Sequence, residues 1–223
     1  MYYSAEAAQK PGTHCVGAAT ASSPQGPFIA RPESFACHID AGGALDPSGF
    51  IDDNGKMYVV YKVDGNNIGH GGLCNNGNAP IVPTPIMLQE VSPADGFTHI
   101  GNPVTILDRD VADGPLVEAP ALVKVNGMYT LFFSSGCYTG AYDTSYATSV
   151  NGITNGGQHY VKSREPLLIT GTYGLQSPGG LSINRKNPSE VIFHADDGAN
   201  NWGMRQMYTG HVTYDANARK VTI

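Results

Sequence analysis

Two acidic residues stand at the heads of apolar runs: Asp46 in "LDPSGFI" and Glu118 in "VEAPALVKV". A charge taken out of water is costly unless it is paired, hydrogen-bonded or protonated, so a carboxylate in such a place either faces solvent or has a task. If the two runs are corresponding strands of one repeated unit, both acids face one pocket. Paired carboxylates around a pocket are the equipment for cleaving a glycosidic bond. One of them must stay protonated to donate to the leaving oxygen. A neighbouring carboxylate raises its pKa, because two like charges resist being ionised together. The bland readings are an Asp that opens a turn before Pro47 and a Glu at a solvated strand end.

The elements that would position these acids repeat along the chain. "GKMYVVYKVDG" (Gly55–Gly65) matches "NGMYTLFFSSG" (Asn126–Gly136), "SEVIFHADDG" (Ser189–Gly198) matches both more loosely, and "MYYSAE" at the start matches their last half. Aligning Tyr2, Tyr61, Phe132 and Phe193 gives spacings of 59, 71 and 61 residues. Periods of this size, each holding several strands, are the mark of propeller blades. Each unit opens with a short strand: Leu45–Ile51, Val117–Val125 or Ser177–Ile183. A turn follows at Asn54-Gly55, Asn126-Gly127 or Asn187-Pro188. Asn-Gly is a strong hairpin signal, because both residues tolerate positive φ. A second strand, a third ("IMLQEVSP", "DTSYATSV", "MRQMYTGHVTYD") and a fourth ("PVTILD", "EPLLIT", "KVTI") complete each unit. Residues 1–223 therefore read as a single all-β propeller domain: three four-stranded antiparallel blades, preceded by a partial blade that begins in its second strand. In a propeller the first strand of each blade lines the central axis, which is where Asp46 and Glu118 fall.

Composition agrees with this class. The chain has 223 residues, 14% of them charged, with 28 Gly and 15 Pro. Helix formers are sparse and turn formers abundant. A net charge of −6 indicates no basic face for nucleic acid. No apolar stretch reaches the roughly 20 residues of a membrane-spanning helix, and no signal peptide is visible. The four cysteines (Cys15, Cys37, Cys74 and Cys137) form no C-x-x-C pair. They allow three disulfide pairings or four buried thiols.

At its motifs the sequence resembles glycoside hydrolase family 43, a family of five-bladed β-propellers. "DPSGFIDDNGKMYVVY" resembles the third-blade pattern and "VEAPALVKVNGMYTLFFSSG" the fourth, with "VGAATASSPQGPF" (Val16–Phe28) standing for the second. "IFHADDG" and "GMRQMY" resemble later segments. The resemblance implies that Glu118 is the general acid and that Asp46 modulates its pKa and orients it. It implies that Arg205 reaches the substrate sugar and that His194 approaches a metal ion on the axis, Ca2+ or another; no organic cofactor is implied. Inverting hydrolysis of arabinose- or xylose-containing plant polysaccharides is the implied activity, of arabinofuranosidase, xylosidase or arabinanase type, and an extracellular location the implied setting. The family's general base is an Asp on the first strand of the first blade, which would lie upstream of Met1. Hydrolysis is therefore expected to be impaired, and the alternative is a non-catalytic carbohydrate-binding propeller. The unpaired edge of "MYYSAE" predicts self-association across the gap.

Other residues compete for roles. Tyr138, Tyr142, Tyr146 and Trp202 could stack on sugar rings, whose C–H faces are apolar, or serve as ordinary packing; Tyr138 and Trp202 are the substrate-binding candidates. "DDNGK" (Asp52–Lys56) lacks the downstream Glu of a calcium loop and reads as a hairpin turn. Residues 69–85 form a long aperiodic loop, read as an insertion over one propeller face and tied down through Cys74.

Overall fold

The computed structural model describes residues 1–196 and 204–223. Its helical residues are confined to short 3-10 turns, and the rest of its regular structure is strand. Four strand groups follow one another. The first is β1 (Tyr2–Glu6), β2 (His14–Thr20) and β3 (Ile29–Ala30), in sheet order β1-β2-β3. The second is β4 (Ala44–Ile51), β5 (Met57–Val63), β6 (Ile86–Val91) and β7 (His99–Leu107), in sequence order. The third is β8 (Val117–Val125), β9 (Met128–Ser135), β10 (Asp143–Ser149) and β11 (Val161–Lys162), also in sequence order. The last comprises β12 (Gln176–Ile183), β13 (Glu190–Asp196) and β14 (Arg205–His211), then a separate hairpin of β15 (Thr213–Asp215) and β16 (Lys220–Thr222). All pairings within the sheets are antiparallel.

The blades stack face to face, and three apolar layers fill the spaces between them. Val16, Phe35, Val59 and Tyr61 join the first two groups. Phe50, Ile106, Leu131 and Phe133 join the second and third. Phe132, Leu181, Phe193 and Val221 join the third and fourth. A strand in the middle of a blade is thus buried on both faces, so its sequence is a near-continuous apolar run rather than an alternation. β9, "MYTLFFSS", is buried along its whole length, and β5, "MYVVYKV", at every residue after Met57. The first strands are neighbours, β4 packing on β8 and β8 on β12, and β1, in the place of a second strand of the partial blade, packs on β4. That is the axial arrangement the repeat predicts.

Two details depart from the repeat. The fourth strand of the third group is Val161–Lys162 rather than "EPLLIT", of which Leu168 alone makes an isolated bridge, to Thr144. In the last group, β15 continues the line of β14 beyond the end of β13, so "KVTI" pairs with that extension instead of with β14. Buried Val212 marks the break, its amide bonded to the Ser189 carbonyl at 2.8 Å. The four cysteines form two disulfides, Cys15–Cys37 and Cys74–Cys137. The second ties the 69–85 loop to the end of β9, as the sequence reading expects for Cys74.

Candidate active site

Each first strand carries the same irregularity. Asp46, Ala119 and Ser177 have φ of 56°, 50° and 48°, and each precedes a proline. The ladder slips at each: between Leu45 and Ser48, between Glu118 and Ala121, and between Gln176 and Gly179. A non-glycine residue in this region costs about 1–3 kcal/mol and persists where the surroundings over-determine it. A bulge also re-aims side chains and frees backbone groups from the ladder. Asp46 answers both effects. Its own amide donates to Ser4 Oγ at 3.1 Å, and its Oδ2 accepts the Ala119 amide at 2.9 Å. The bulge of one blade is therefore held by the carboxylate of the blade before it, one residue from Glu118.

Glu118 sits in the bulge of β8 with its side chain 17% exposed. Lys62 Nζ donates to its Oε2 at 3.0 Å, and the Tyr142 hydroxyl donates to its Oε1 at 2.7 Å. Lys62 comes from β5, is 1% exposed, and also lies 3.0 Å from Asp64 Oδ1. Tyr142 stacks on His194, with ring centroids 6.0 Å apart and planes 10° apart. Two glycines on β12 make room for these rings. A Cβ on Gly179 would overlap the Tyr142 ring, and one on Gly180, at φ 62°, would come within 2.8 Å of His194 Cδ2.

The charges compete. Burial, followed by the Glu118 charge, raises the pKa of Asp46 above the ordinary carboxylate value, against the opposing pull of Lys62 and the Ala119 amide. Burial also pushes Glu118 up, but Lys62 and the Tyr142 hydroxyl outweigh it, with help from the Arg205 charge, and Glu118 lies below its usual value. Lys62 is pushed down by burial and further up by Glu118, Asp64 and Asp46, so it stays an ammonium. The pair is thus split, Asp46 shifted up and Glu118 down. This is the reverse of the order expected from two carboxylates alone, and the reason is Lys62, which the sequence reading left out.

The structure brings Asp46, Glu118 and His194 to one end of the axis, with Arg205 near enough to act electrostatically on Glu118 and His194. The Arg205 guanidinium lies over the Tyr138 ring, 5.4 Å from its centroid. Tyr138 is 52% exposed and follows Cys137, the residue that anchors the 69–85 loop. Trp202 lies outside the described residues. Sequence reasoning missed Lys62 and the hydroxyl role of Tyr142. A lysine inside an apolar strand was the available signal, since it raises the same question as Glu118.

For an axial metal ion, the described residues offer one buried nitrogen, His194 Nδ1, which has no hydrogen-bond partner among them. No three His, Cys, Asp or Glu side chains converge there or elsewhere among the described residues. Calcium takes about six to eight oxygens, so these side chains alone do not make a site for it.

The model of the family described as Glycosyl hydrolases family 43 matches residues 1–217. An endo-1,4-beta-xylanase from Bacteroides thetaiotaomicron VPI-5482 is 26% identical, with a TM-score of 0.70 over 100% of this chain and 69% of that one. A thermostable family-43 glycoside hydrolase superposes with a TM-score of 0.77 at 22% identity, over 100% and 69% of the two chains. An alpha-L-arabinofuranosidase from Lactobacillus brevis does so with a TM-score of 0.69 at 17% identity, over 97% and 69%. These last two are likenesses of fold. No curated protein matches the chain.

Proposed function

We propose, from the premise that this chain belongs to glycosyl hydrolases family 43, that its axial site takes arabinose- or xylose-containing plant polysaccharides, with Glu118 as proton donor. The observation that carries the reading is the Glu118 carboxyl at the axial head of β8, held by Tyr142 and Lys62 next to the half-buried Asp46. A sugar covering this mouth adds burial, which acts on Glu118 in the direction that favours its protonated form. Asp46 holds the β8 bulge through Ala119 and so orients Glu118. Arg205 and Tyr138 form the rim that meets the sugar, a cation over an aromatic face. The substrates named for the similar structures, xylan and arabinofuranoside, support this class.

Inverting hydrolysis also needs a carboxylate that takes a proton from water on the far side of the sugar, with the two carboxyls about 6.5–9.5 Å apart. The other acids of the axial cluster are poorly suited. Asp64 is bound to Lys62, and Asp46 is bonded to an amide with its pKa raised. We therefore expect residues 1–223 by themselves to turn over at least about 10²–10⁴-fold more slowly than a relative that carries such a base, the usual contribution of a general base. The non-catalytic reading, a sugar-binding propeller, rests on the same observation. The two disulfides support an extracellular setting. Self-association through the outer edge of β1, which pairs only with β2 among the described residues, belongs to the same proposal; light scattering checks it.

Hydrolysis of aryl arabinofuranoside and aryl xyloside by the 223-residue chain, alongside calorimetric titration with arabino- and xylo-oligosaccharides, tests the reading. Binding that weakens in Arg205→Ala, with slow or absent turnover, is the expected result. Fast hydrolysis abolished by Glu118→Gln would overturn the impairment, and no binding of either sugar class would overturn the substrate assignment.

A further inference from the structure

Lys62 is a cation 1% exposed in the middle of a propeller, on a strand whose other buried residues are apolar or aromatic. Taking an ammonium out of water is costly even after relaxation, and an ion pair offsets this only with good geometry. A stabilising core position would be filled more cheaply by an apolar residue. Lys62 instead reaches the blade interface and divides its donors between Asp64 Oδ1 and Glu118 Oε2, each at 3.0 Å. Glu118 is gripped from the other side by the Tyr142 hydroxyl at 2.7 Å. Tyr142 is in turn fixed by its stacking on His194 and by the space that Gly179 leaves. Each oxygen of Glu118 accepts one hydrogen bond in this arrangement, which fixes the orientation of the carboxyl.

We propose that Lys62 is a positioning residue of the axial site, which clamps the Glu118 carboxyl from β5 while Tyr142 clamps it from the opposite side. The inference rests on the reading of Glu118 as the proton donor, but its test does not depend on hydrolysis. The groups that face Glu118 are Lys62 from β5, Tyr142, Asp46 from β4, Arg205 from β14 and the His194 ring, on which the Glu118 charge also acts. Of these, Lys62 is the cation in direct contact with it. Asp64, behind Lys62, competes for the same ammonium.

The opposed pulls of Asp64 and Glu118 on one lysine give a test with a sign. The chain is labelled with 13C at Glu side-chain carboxyls, the Glu118 signal is assigned by its loss in Glu118→Gln, and its titration is followed by NMR. In Lys62→Met the Glu118 midpoint should rise by at least about one pH unit, the lower end of what an opposite charge at contact distance does. In Asp64→Asn, where the ammonium turns wholly to Glu118, the midpoint should fall. Lys62→Arg should keep it low. A folded Lys62→Met with an unchanged midpoint would overturn the proposal. If Lys62→Met does not fold, Asp64→Asn decides: a fall supports the clamp, and no change or a rise overturns it. Loss of sugar binding with these shifts intact would count against the function and leave the clamp standing.

Discussion

Strand β8 carries a charged cluster at each end, and the two clusters are built from the same kinds of residue. At the tail, Lys124 on β8 lies 3.0 Å from Asp52 Oδ1 and 3.0 Å from Asp53 Oδ2, and the Tyr129 hydroxyl donates to Asp52 Oδ2 at 2.7 Å. At the head, Lys62 lies between Asp64 and Glu118, and the Tyr142 hydroxyl donates to Glu118. Each cluster is lysine, tyrosine and carboxylates bridging adjacent blades. The tail is settled: Lys124 is 21% exposed, Asp53 is 80% exposed, and the strands run regularly. Burial pushes Asp52 up, but Tyr129, Lys124 and the Asp53 amide outweigh it and hold it below the ordinary value. The head is contested. Its lysine is buried, the Glu118 charge helps raise the pKa of Asp46, and its backbone takes positive φ at Asp46 and Ala119. A cavity of about 410 Å³ lies at the tail, lined by Phe50, Asp52, Leu122 and Lys124. What separates the head from the tail here is local conflict held in place, not the inventory of residues or the nearest hollow.

Substitutions that remove the lysines break the comparison most strongly. Lys62→Met leaves the buried Asp64 and the half-buried Glu118 without their cation and should lower stability to urea by about 3–5 kcal/mol. Lys124→Met, with a partner in solvent, should cost clearly less. Equal losses would mean that the two ends are alike. Next in size is Tyr129→Phe, which removes a hydrogen bond to a charged, buried carboxylate and should cost about 1.5–3 kcal/mol in the same measurement. Gly179→Ala forces Tyr142 aside and should cost about 1–3 kcal/mol. It should also raise the Glu118 midpoint, which the tail variant cannot do.

The smallest effect is in the pH dependence, and its sign differs between the ends. Asp52 has a lowered folded pKa, so its contribution is present above its unfolded pKa and lost as pH falls through the folded one. Asp46 has a raised folded pKa, so its contribution is present at low pH and lost as pH rises through that value. Asp52→Asn should therefore be less stable than the parent chain at neutral pH, and Asp46→Asn more stable. Urea melts at pH 3 and pH 7 read both, and the same sign for both variants would contradict the assignment.

How much of this was legible in the sequence varies with the residue. The blade order could be read because Asn-Gly turns and doubly buried second strands are local signals. β8 was found with its observed bounds, Val117–Val125. The split of the last blade could not be read, because "KVTI" pairs equally well with either length of the preceding strand. Asp46 and Glu118 were found because a carboxylate at the head of an apolar run is conspicuous. Lys62 sits inside "MYVVYKV", where a lysine on a strand is commonly a solvated face, and only the packing of a second blade turns that face inward. Asp52 was read as a turn residue, and it does lead into the hairpin turn; its burial depends on Lys124 and Tyr129 from another blade. The cysteine pairing, open among three choices, was settled by distances that no spacing encodes.

The most direct test of the head as the sugar site and the tail as scaffold is a titration of the 13C-carboxyl-labelled chain with arabino- and xylo-oligosaccharides. The account predicts that the Glu118 and Asp46 carboxyl signals move with sugar while Asp52 stays fixed. Movement at Asp52 with Glu118 and Asp46 unmoved would contradict it.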